Sequence, residues 1–213
     1  MLKVSHDNPD IFAAVKSGNV QAVSDILDTT NNIDSYLITE ALAKNNYEIA
    51  KMLIEKKKEV GTLSSMDGAA YDWFYYSSFF GMYDIFDLLA KYGFEINDMV
   101  VEASLSGSKD KTFNGVVKAL LRNGLTSEFD TILLKAIRFG MPIIVETMKI
   151  LKSFNVDVEN VIAQSNKPGI KENKELLLTI NDPERDDSDF LGWGDKWHIL
   201  KFKISPQLKM PLA

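Results

Sequence analysis

The sequence predicts an all-α fold, and two observations support that prediction, a recurring pattern and the helical spacing of its apolar residues. A sequence pattern occupies residues 9–27 and recurs at 36–54 and 81–97. It consists of small residues, then a glycine or asparagine, then an apolar stripe. Within each copy, apolar residues follow the three-to-four-residue spacing of amphipathic helices. The chain also contains no cysteine, so it has no disulfides and no cysteine-based zinc sites. Recurrence of this kind is typical of a helical solenoid, in which stacked units share one long core.

Each unit is expected to open with a short helix that ends at a small or amide residue. The predicted first helices cover 11–17, 37–44, 73–80, 100–105 and 132–139. Gly and Asn tolerate the left-handed backbone that ends a helix, which predicts a tight turn after each of them: Gly18, Asn45, Gly81, Gly107 and Gly140. Successive breakers are 27, 36, 26 and 33 residues apart, so the units diverge and carry insertions.

A second, longer helix follows each breaker. Its apolar stripe is visible at Val20, Val23, Ile26 and Leu27, at Ile49, Met52 and Leu53, and at Ile85, Leu88 and Leu89. Gly93, Gly124 or Asn155 then leads into the next unit. Residues 56–68 are predicted to be one lengthened link, and residues 108–114 a lengthened turn inside the fourth unit. Pro142 opens the second helix of the fifth unit, and a ragged sixth unit covers 158–181 with a turn at 167–169.

The segment Gly81-Met-Tyr-Asp-Ile-Phe-Asp-Leu-Leu-Ala-Lys-Tyr-Gly-Phe-Glu-Ile-Asn97 resembles the second half of an ankyrin repeat. The segment Pro9-Asp-Ile-Phe-Ala-Ala-Val-Lys-Ser-Gly18 is similar to the first half. The resemblance spans roughly residues 5–180 and implies an ankyrin-like solenoid of about five to six repeats. No unit keeps the family's Thr-Pro-Leu-His opening, so the regularity of the projecting loops departs from the family pattern. The predicted organisation is a repeat domain over 1–181 and an irregular cap over 182–213.

The segment 182–213 differs in composition from the repeats. Residues 182–189 are acidic, residues 190–197 are aromatic and glycine-rich, and residues 198–204 could form a short strand. A terminal solenoid unit must cover its exposed apolar face, and Trp193 and Trp197 could supply that cover. The alternative is a segment that docks on a partner.

Charge and composition restrict the partners and the location. The net charge is −6, and residues 1–100 carry 8 Lys and Arg against 15 Asp and Glu. Nucleic-acid binding needs clustered cations, so we expect a protein partner, with a basic surface that the acidic half would attract. No secretory leader or membrane span is visible, so we expect a cytoplasmic monomer, or a protein delivered into a host cell.

Residues suited to catalysis, metal binding or cofactor binding are scarce. The two histidines, His6 and His198, lie at opposite ends of the chain, which makes a catalytic triad improbable. The fragment 187–192 mimics the start of a calcium-binding loop, but Leu191 and His198 stand where oxygen ligands are required. The three lysines at 56–58 are explained by the dipole of a helix C-terminus and by solvation. We therefore expect no enzymatic activity and no cofactor.

Aromatic residues are concentrated in one predicted first helix. Seven of the ten residues at 71–80 are aromatic. With Ser77 and Ser78 at the paired small positions of the repeat, Phe74 is expected in the core, and Trp73, Tyr76 and Phe80 toward the concave face. Exposed aromatic side chains often anchor protein interfaces. The predicted protein-binding residues are Trp73, Tyr75, Tyr76, Phe79, Phe80, Lys44, Arg138 and Phe139, and the neighbouring positions Lys16, Ser17, Ala43 and Ser106 would share their face.

The sequence therefore favours a protein–protein interaction module that binds through the concave face of the repeat stack. The family resemblance suggests an adaptor or a host-directed effector. Two alternatives stay open: a specific inhibitor or immunity-type protein of one enzyme, and an enzyme with its site in the C-terminal segment.

Overall fold

The computed structural model describes residues 9–65 and 67–181, and the chain divides into two compact units, Met1–Leu125 and Thr126–Ala213. Regular secondary structure within these described ranges is entirely helical, which confirms the all-α prediction. The single repeat domain over 1–181 stays a prediction. Several predicted features lie outside the described residues, namely His6, the calcium-like fragment 187–192, Trp193, Trp197 and the strand 198–204.

The described part of the first unit contains eight helices in four consecutive pairs. They are α1 Pro9–Ser17 and α2 Val20–Leu27, α3 Ser35–Ala43 and α4 Tyr47–Glu59, α5 Ala70–Phe80 and α6 Tyr83–Lys91, and α7 Asp98–Gly107 and α8 Asp110–Arg122. The two helices of each pair contact each other. The first helices also contact in succession, α1 with α3, α3 with α5 and α5 with α7, while α2 contacts α4 and α6 contacts α8.

The turn between the helices of a pair has a local cause. Gly18, Asn45 and Gly81 have φ angles of 71°, 58° and 74°, as the prediction of left-handed breakers requires. In the first two pairs an asparagine follows the breaker, and its side-chain oxygen accepts from the main-chain N–H three residues later. The acceptors are Asn19 and Asn46, at 3.0 Å and 3.2 Å. One residue therefore ends the first helix, and the next caps the second.

The fourth pair departs from the prediction at Gly107. Gly107 is the last residue of α7 and has no positive φ, so the prediction that it is a left-handed breaker is wrong. A Cβ at this position would overlap the main-chain carbonyl of Tyr75, so the glycine allows α7 to approach α5 closely. The long turn predicted at 108–114 is also wrong, because α8 already begins at Asp110. Thr112 Oγ1 accepts from the Lys109 N–H at 2.9 Å, and this bond pairs a main-chain donor that the start of α8 leaves without a partner in the helix.

The core of the first unit comes from the apolar stripes of both helix layers. Fully buried side chains include Val15, Val23, Ile38, Leu42, Ile49, Leu53, Phe74, Ile85, Phe86, Leu89, Val101, Phe113, Val117 and Leu120. Burying one such side chain contributes about 1.5–3 kcal/mol. Each helix buries part of its apolar stripe against the other helix of its pair and the rest against the neighbouring pair.

The link between α4 and α5 is anchored by a lysine that the sequence analysis assigned to solvent. Lys57 is only 5% exposed, which corrects that prediction for this member of the run. Its ammonium donates to the carbonyl oxygen of Ile33 at 3.1 Å and lies 3.8 Å from the Asp67 carboxylate. Asp67 also accepts from Ser35 and from the Ala69 N–H. Asp67 therefore connects the start of α5 to the start of α3 and to Lys57 of α4.

The second unit contains five described helices: α9 Phe129–Phe139, α10 Met141–Ser153, α11 Val158–Gln164, α12 Pro168–Lys171 and α13 Lys174–Ile180. Gly140, with φ 113°, separates α9 from α10 as predicted, and Pro142 lies in the first turn of α10. The turn predicted at 167–169 is instead the start of α12, where Pro168 takes a first-turn position. Helix α9 contacts α10, α11 and α12, and α13 contacts α11 and α12.

Candidate protein-binding surface

Helix α5 separates its side chains into two faces. The buried positions recur at intervals of three, one, three and one residues, so they share one side of the helix: Ala70, Trp73, Phe74, Ser77 and Ser78. The opposite side is partly exposed and carries Tyr71, Tyr75, Tyr76, Phe79 and Phe80. One helix thus supplies aromatic residues both to the core and to the surface.

Phe74 and the two serines take the positions predicted for them. Phe74 is fully buried and meets Phe86 edge to face, with ring centroids 5.1 Å apart. Ser77 and Ser78 are also fully buried, and both hydroxyls donate to the Phe74 carbonyl oxygen, at 3.1 Å and 2.7 Å. Their polar atoms are therefore satisfied inside the helix, and their small size leaves room for neighbouring helices.

Trp73 was predicted to lie on the surface, and this prediction is wrong. Its side chain is fully buried, and the indole N–H donates to the Thr39 hydroxyl of α3 at 3.1 Å. The Phe94 ring lies 6.0 Å from it, centroid to centroid. Burial with a satisfied N–H makes Trp73 a core residue that joins α5 to α3, and it has no face to offer a partner.

Six aromatic side chains form what we call the aromatic surface: Phe12, Tyr36, Tyr75, Tyr76, Phe79 and Phe80, from the first helices α1, α3 and α5. Phe12 and Tyr36 stack across α1 and α3, with centroids 6.2 Å apart. On α5, Tyr75 meets Tyr76 edge to face at 5.2 Å, and Phe79 meets Phe80 at 4.8 Å. Tyr36 is 44% exposed, so this row of rings reaches solvent.

The phenol of Tyr36 is held by an acidic group. Its hydroxyl donates to the Glu40 carboxylate at 3.4 Å. The negative charge of Glu40, then burial, the hydrogen bond and the neighbouring Tyr76 raise the pKa of Tyr36 above its ordinary value. Tyr36 therefore stays protonated as a hydrogen-bond donor at neutral pH.

Three lysines border the aromatic surface. Lys44 pairs with Glu40 at 3.6 Å, Lys16 lies 5.9 Å from the ring centroid of Phe12, and Lys109 lies 3.6 Å from that of Phe79. A lysine ammonium over an aromatic face is attracted by the negative face of the ring. Lys44 thus lies near Glu40, which also accepts from Tyr36, while Lys109 was not predicted.

Arg138 and Phe139, two of the predicted binding residues, lie at the end of α9 in the second unit. Arg138 is exposed and Phe139 is partly exposed. The ammonium of Lys135 lies 5.5 Å from the Phe139 ring centroid. Burial, and then the neighbouring positive charge of Arg138, lower the pKa of Lys135 below its ordinary value.

Phe12 and Tyr36 were missed because the sequence analysis weighed aromatic density on α5 alone. One signal was present for Phe12, which precedes its breaker Gly18 by the same six positions that separate Tyr75 from Gly81. Ser106 and Ala43 are exposed and partly exposed, respectively, on the first helices α7 and α3.

Other kinds of site have little support in the described ranges. No group of three or more histidine, cysteine or acidic residues there could hold a metal ion, and none of the described helices is long and apolar enough to cross a membrane. One cavity of about 440 Å³ lies between the link before α5 and the link before α7, lined by Ser65, Ala70, Tyr71, Phe94, Glu95 and Asn97. Comparison with known proteins found no matching family model, curated protein or solved structure.

Proposed function

We propose that this protein is a protein-binding module and that the aromatic surface is its contact site. The observation that carries the proposal is the partial exposure of six aromatic side chains on consecutive first helices. Tyrosine and phenylalanine combine large apolar area with few rotatable bonds, so they lose little entropy when a partner covers them. Tyrosine hydroxyls additionally provide hydrogen bonds at the edge of such a contact.

We further propose that the first unit is a short solenoid of four helix pairs, similar to ankyrin repeats. Contacts between successive first helices, and between α2 and α4 and between α6 and α8, support this arrangement. The left-handed residue that ends a first helix at positions 18, 45 and 81 supports it too. A row of helices packed side by side is rigid, so the aromatic surface is formed before any partner arrives.

The test is affinity capture with the full chain and a Tyr36→Ser/Tyr76→Ser variant. Both side chains lie on the surface, so the variant is expected to fold like the wild type while its capture of specific partners falls at least about tenfold, as loss of two interface anchors predicts. A Tyr47→Ser variant is the matched control, since Tyr47 is a partly exposed tyrosine on the second helix α4. Equal capture by all three proteins would exclude the aromatic surface as the contact site.

Trp73 is unsuitable for this test. Truncating a fully buried indole would leave a cavity and an unpaired Thr39 hydroxyl, so lost binding could reflect unfolding alone. Circular dichroism and thermal unfolding of each variant establish that the compared proteins are equally folded.

A further inference from the structure

We propose that the cavity between the link before α5 and the link before α7 binds a small organic amine, which is protonated at neutral pH and has an apolar body. The volume of the cavity is about 440 Å³. Small-molecule sites in proteins have volumes of about 300–1,000 Å³. The cavity shares no residue with the aromatic surface, so this site is independent of the proposed function.

Apolar side chains form the inner wall of the cavity. Ala70 of α5, Phe94 and Val100 of α7 line it, and each is at most 5% exposed. The ring of Phe94 also lies 6.0 Å from that of the buried Trp73, centroid to centroid, so contacts with the core hold it in place. A wall of this kind favours the apolar body of a ligand.

The polar groups of the lining lie on its more exposed side. Ser65 and Glu95 are exposed, and Tyr71 is partly exposed. The side chains of these three residues make no hydrogen bond or ion pair with the part of the chain that the structure describes. Asn97 differs, since its side-chain oxygen accepts from the Val100 N–H at 3.0 Å. Glu95 therefore offers a ligand a carboxylate that is not already engaged.

The charge of the lining selects a cation. Among the described residues that line the cavity, Glu95 is the one that is charged at neutral pH. The positive ends of the α5 and α7 dipoles do not reverse this preference, because Asp72 and Asp98 in the first turns of these helices compensate them. A free carboxylate beside an apolar wall attracts an ammonium group and repels an anion.

The lysines at the ends of the neighbouring second helices do not neutralise that carboxylate. Lys56 and Lys57 take part in other ion pairs. Lys58 and Lys91 lie 5.6 Å and 5.8 Å from the centroid of one tyrosine ring. None of the four lines the cavity, and none is within ion-pair distance of Glu95.

The aromatic part of the lining adds to the attraction for an amine. Tyr71 and Phe94 both line the cavity, and the face of an aromatic ring attracts an organic cation. A carboxylate binds an ammonium group through charge-assisted hydrogen bonds. A basic side chain of a partner protein carries the same charge, but its thin, flexible stem would leave much of the apolar wall uncovered. The cavity therefore fits a free amine with a broad apolar body better.

Both sides of the cavity are held in place without a ligand. On one side, the Phe94 N–H donates to the carbonyl oxygen of Leu89 in α6 at 3.1 Å. On the other side, Asp67 lies 3.8 Å from the Lys57 ammonium and so holds the link that carries Ser65. A site that is already formed loses little conformational entropy when a ligand binds.

The experiment titrates the full-length protein with three matched probes and follows the main-chain amide resonances by NMR. The probes are phenethylamine, 2-phenylethanol and phenylacetate, which carry a positive, a neutral and a negative group on the same phenyl ring. We expect phenethylamine to bind at least about tenfold more tightly than the other two, as hydrogen bonds to a charged group predict. The largest changes in chemical shift are expected at Tyr71, Phe94 and Asn97.

Substitutions at the lining test the roles of the carboxylate and the ring. Glu95→Gln keeps the size of the side chain and should weaken phenethylamine binding at least about tenfold, while 2-phenylethanol binding changes less than about twofold. Tyr71→Leu keeps an apolar side chain but removes the ring, and should weaken phenethylamine binding about two- to fivefold. Both side chains reach the surface, so the variants are expected to fold, and their spectra without a probe verify this.

Glu48→Gln is the matched control for Glu95→Gln. Glu48 is an exposed glutamate in the first turn of α4, so the variant has the same change in net charge away from the cavity. Its affinity for phenethylamine should differ from that of the wild type by less than about twofold, since distant surface charges are screened.

Each other result would overturn the proposed site. Equal affinity for the three probes, no binding of phenethylamine, or binding that survives Glu95→Gln would show that the cavity does not recognise an amine. Changes in chemical shift at Tyr36 and Tyr76 instead of the lining would place the amine on the aromatic surface. If a capped tripeptide with a central arginine bound more tightly than phenethylamine at the same resonances, a basic side chain of a partner would replace the free amine. The proposed function is tested separately by affinity capture.

Discussion

The two faces of α5 carry similar residues but have different surroundings. Trp73 and Phe74 are fully buried, whereas Tyr76 and Phe79, on the opposite side of the same helix, remain partly exposed. Hydrophobicity does not separate the two groups, because both faces are aromatic. The neighbouring helices account for part of the difference: the buried face meets α3 and α6 at Thr39 and Phe86, while on the other face the rings meet one another and Lys109 lies over Phe79. Aromatic density therefore marks an unusual helix, and only tertiary contacts show which rings are structural.

The largest expected effect is a contrast between one substitution on each face. Phe74→Ala should lower the free energy of unfolding by about 3–5 kcal/mol, because it removes a fully buried ring and leaves a cavity beside Phe86. Tyr76→Ala should lower it by less than about 1 kcal/mol, as is usual for partly exposed positions. Denaturation in guanidinium chloride measures both. Similar losses for the two variants would contradict the division of α5 into a core face and a surface face.

The sequence predicted the helices that end at Gly18, Asn45 and Gly81 because the causes of those helix ends are local. A left-handed glycine or asparagine ends a helix through its own backbone, and apolar spacing reports the buried side of a helix. Trp73 could not be placed in that way, since its hydrogen-bond partner Thr39 lies 34 residues earlier in the chain. Lys57 was misplaced for the same reason, because its acceptor belongs to Ile33, 24 residues earlier and just before α3.

The candidate surface was predicted in part. Tyr75, Tyr76, Phe79 and Phe80 are partly exposed and Lys44 is exposed, whereas Trp73 is buried. Lys109 was missed because residues 108–114 read as a loop, whereas α8 begins at Asp110 and brings Lys109 over Phe79. Whether these residues bind a partner stays a prediction.

A smaller effect is expected at the contact between α5 and α7. Gly107→Ala places a methyl group against the carbonyl of Tyr75, and main-chain atoms cannot move aside as the end of a side chain can. The variant should lose about 1–3 kcal/mol of stability, the usual cost of overpacking. It should also shift Tyr75, which is part of the aromatic surface, and so reduce the capture of partners as well.

Gly68→Ala is the matched control for that substitution. Nothing lies within 4 Å of a Cβ at Gly68, and its φ is not positive, so neither overlap nor backbone strain is expected. Its free energy of unfolding should match the wild type within about 0.5 kcal/mol. If Gly107→Ala were equally harmless, the close approach of α7 to α5 would be refuted, and with it the explanation for the glycine at that position.

The smallest effect on stability is expected at Tyr83, the first residue of α6, whose partly exposed ring packs on α8. Its hydroxyl donates to the Thr112 carbonyl oxygen at 3.1 Å, and burial raises the pKa of the phenol above its ordinary value. Tyr83→Phe should cost about 0.5–1.5 kcal/mol at neutral pH, the usual net contribution of one hydrogen bond. Thermal and urea unfolding at neutral pH measure this loss.

The same variant has a pH dependence of known sign. A raised pKa means that the folded protein holds the phenolic proton more tightly than the unfolded chain does. The stability from Tyr83 is therefore complete below about pH 10, the ordinary pKa of tyrosine, and is lost as the pH rises through the folded value. As the pH rises above about 10 the wild type should thus lose stability more steeply than Tyr83→Phe, since the other tyrosines are common to both. Parallel pH profiles would show that the Tyr83 phenol is as well solvated in the folded protein as in the unfolded chain. Tyr83 would then be a surface residue, like Tyr76 and Phe79 of α5, and not part of the core.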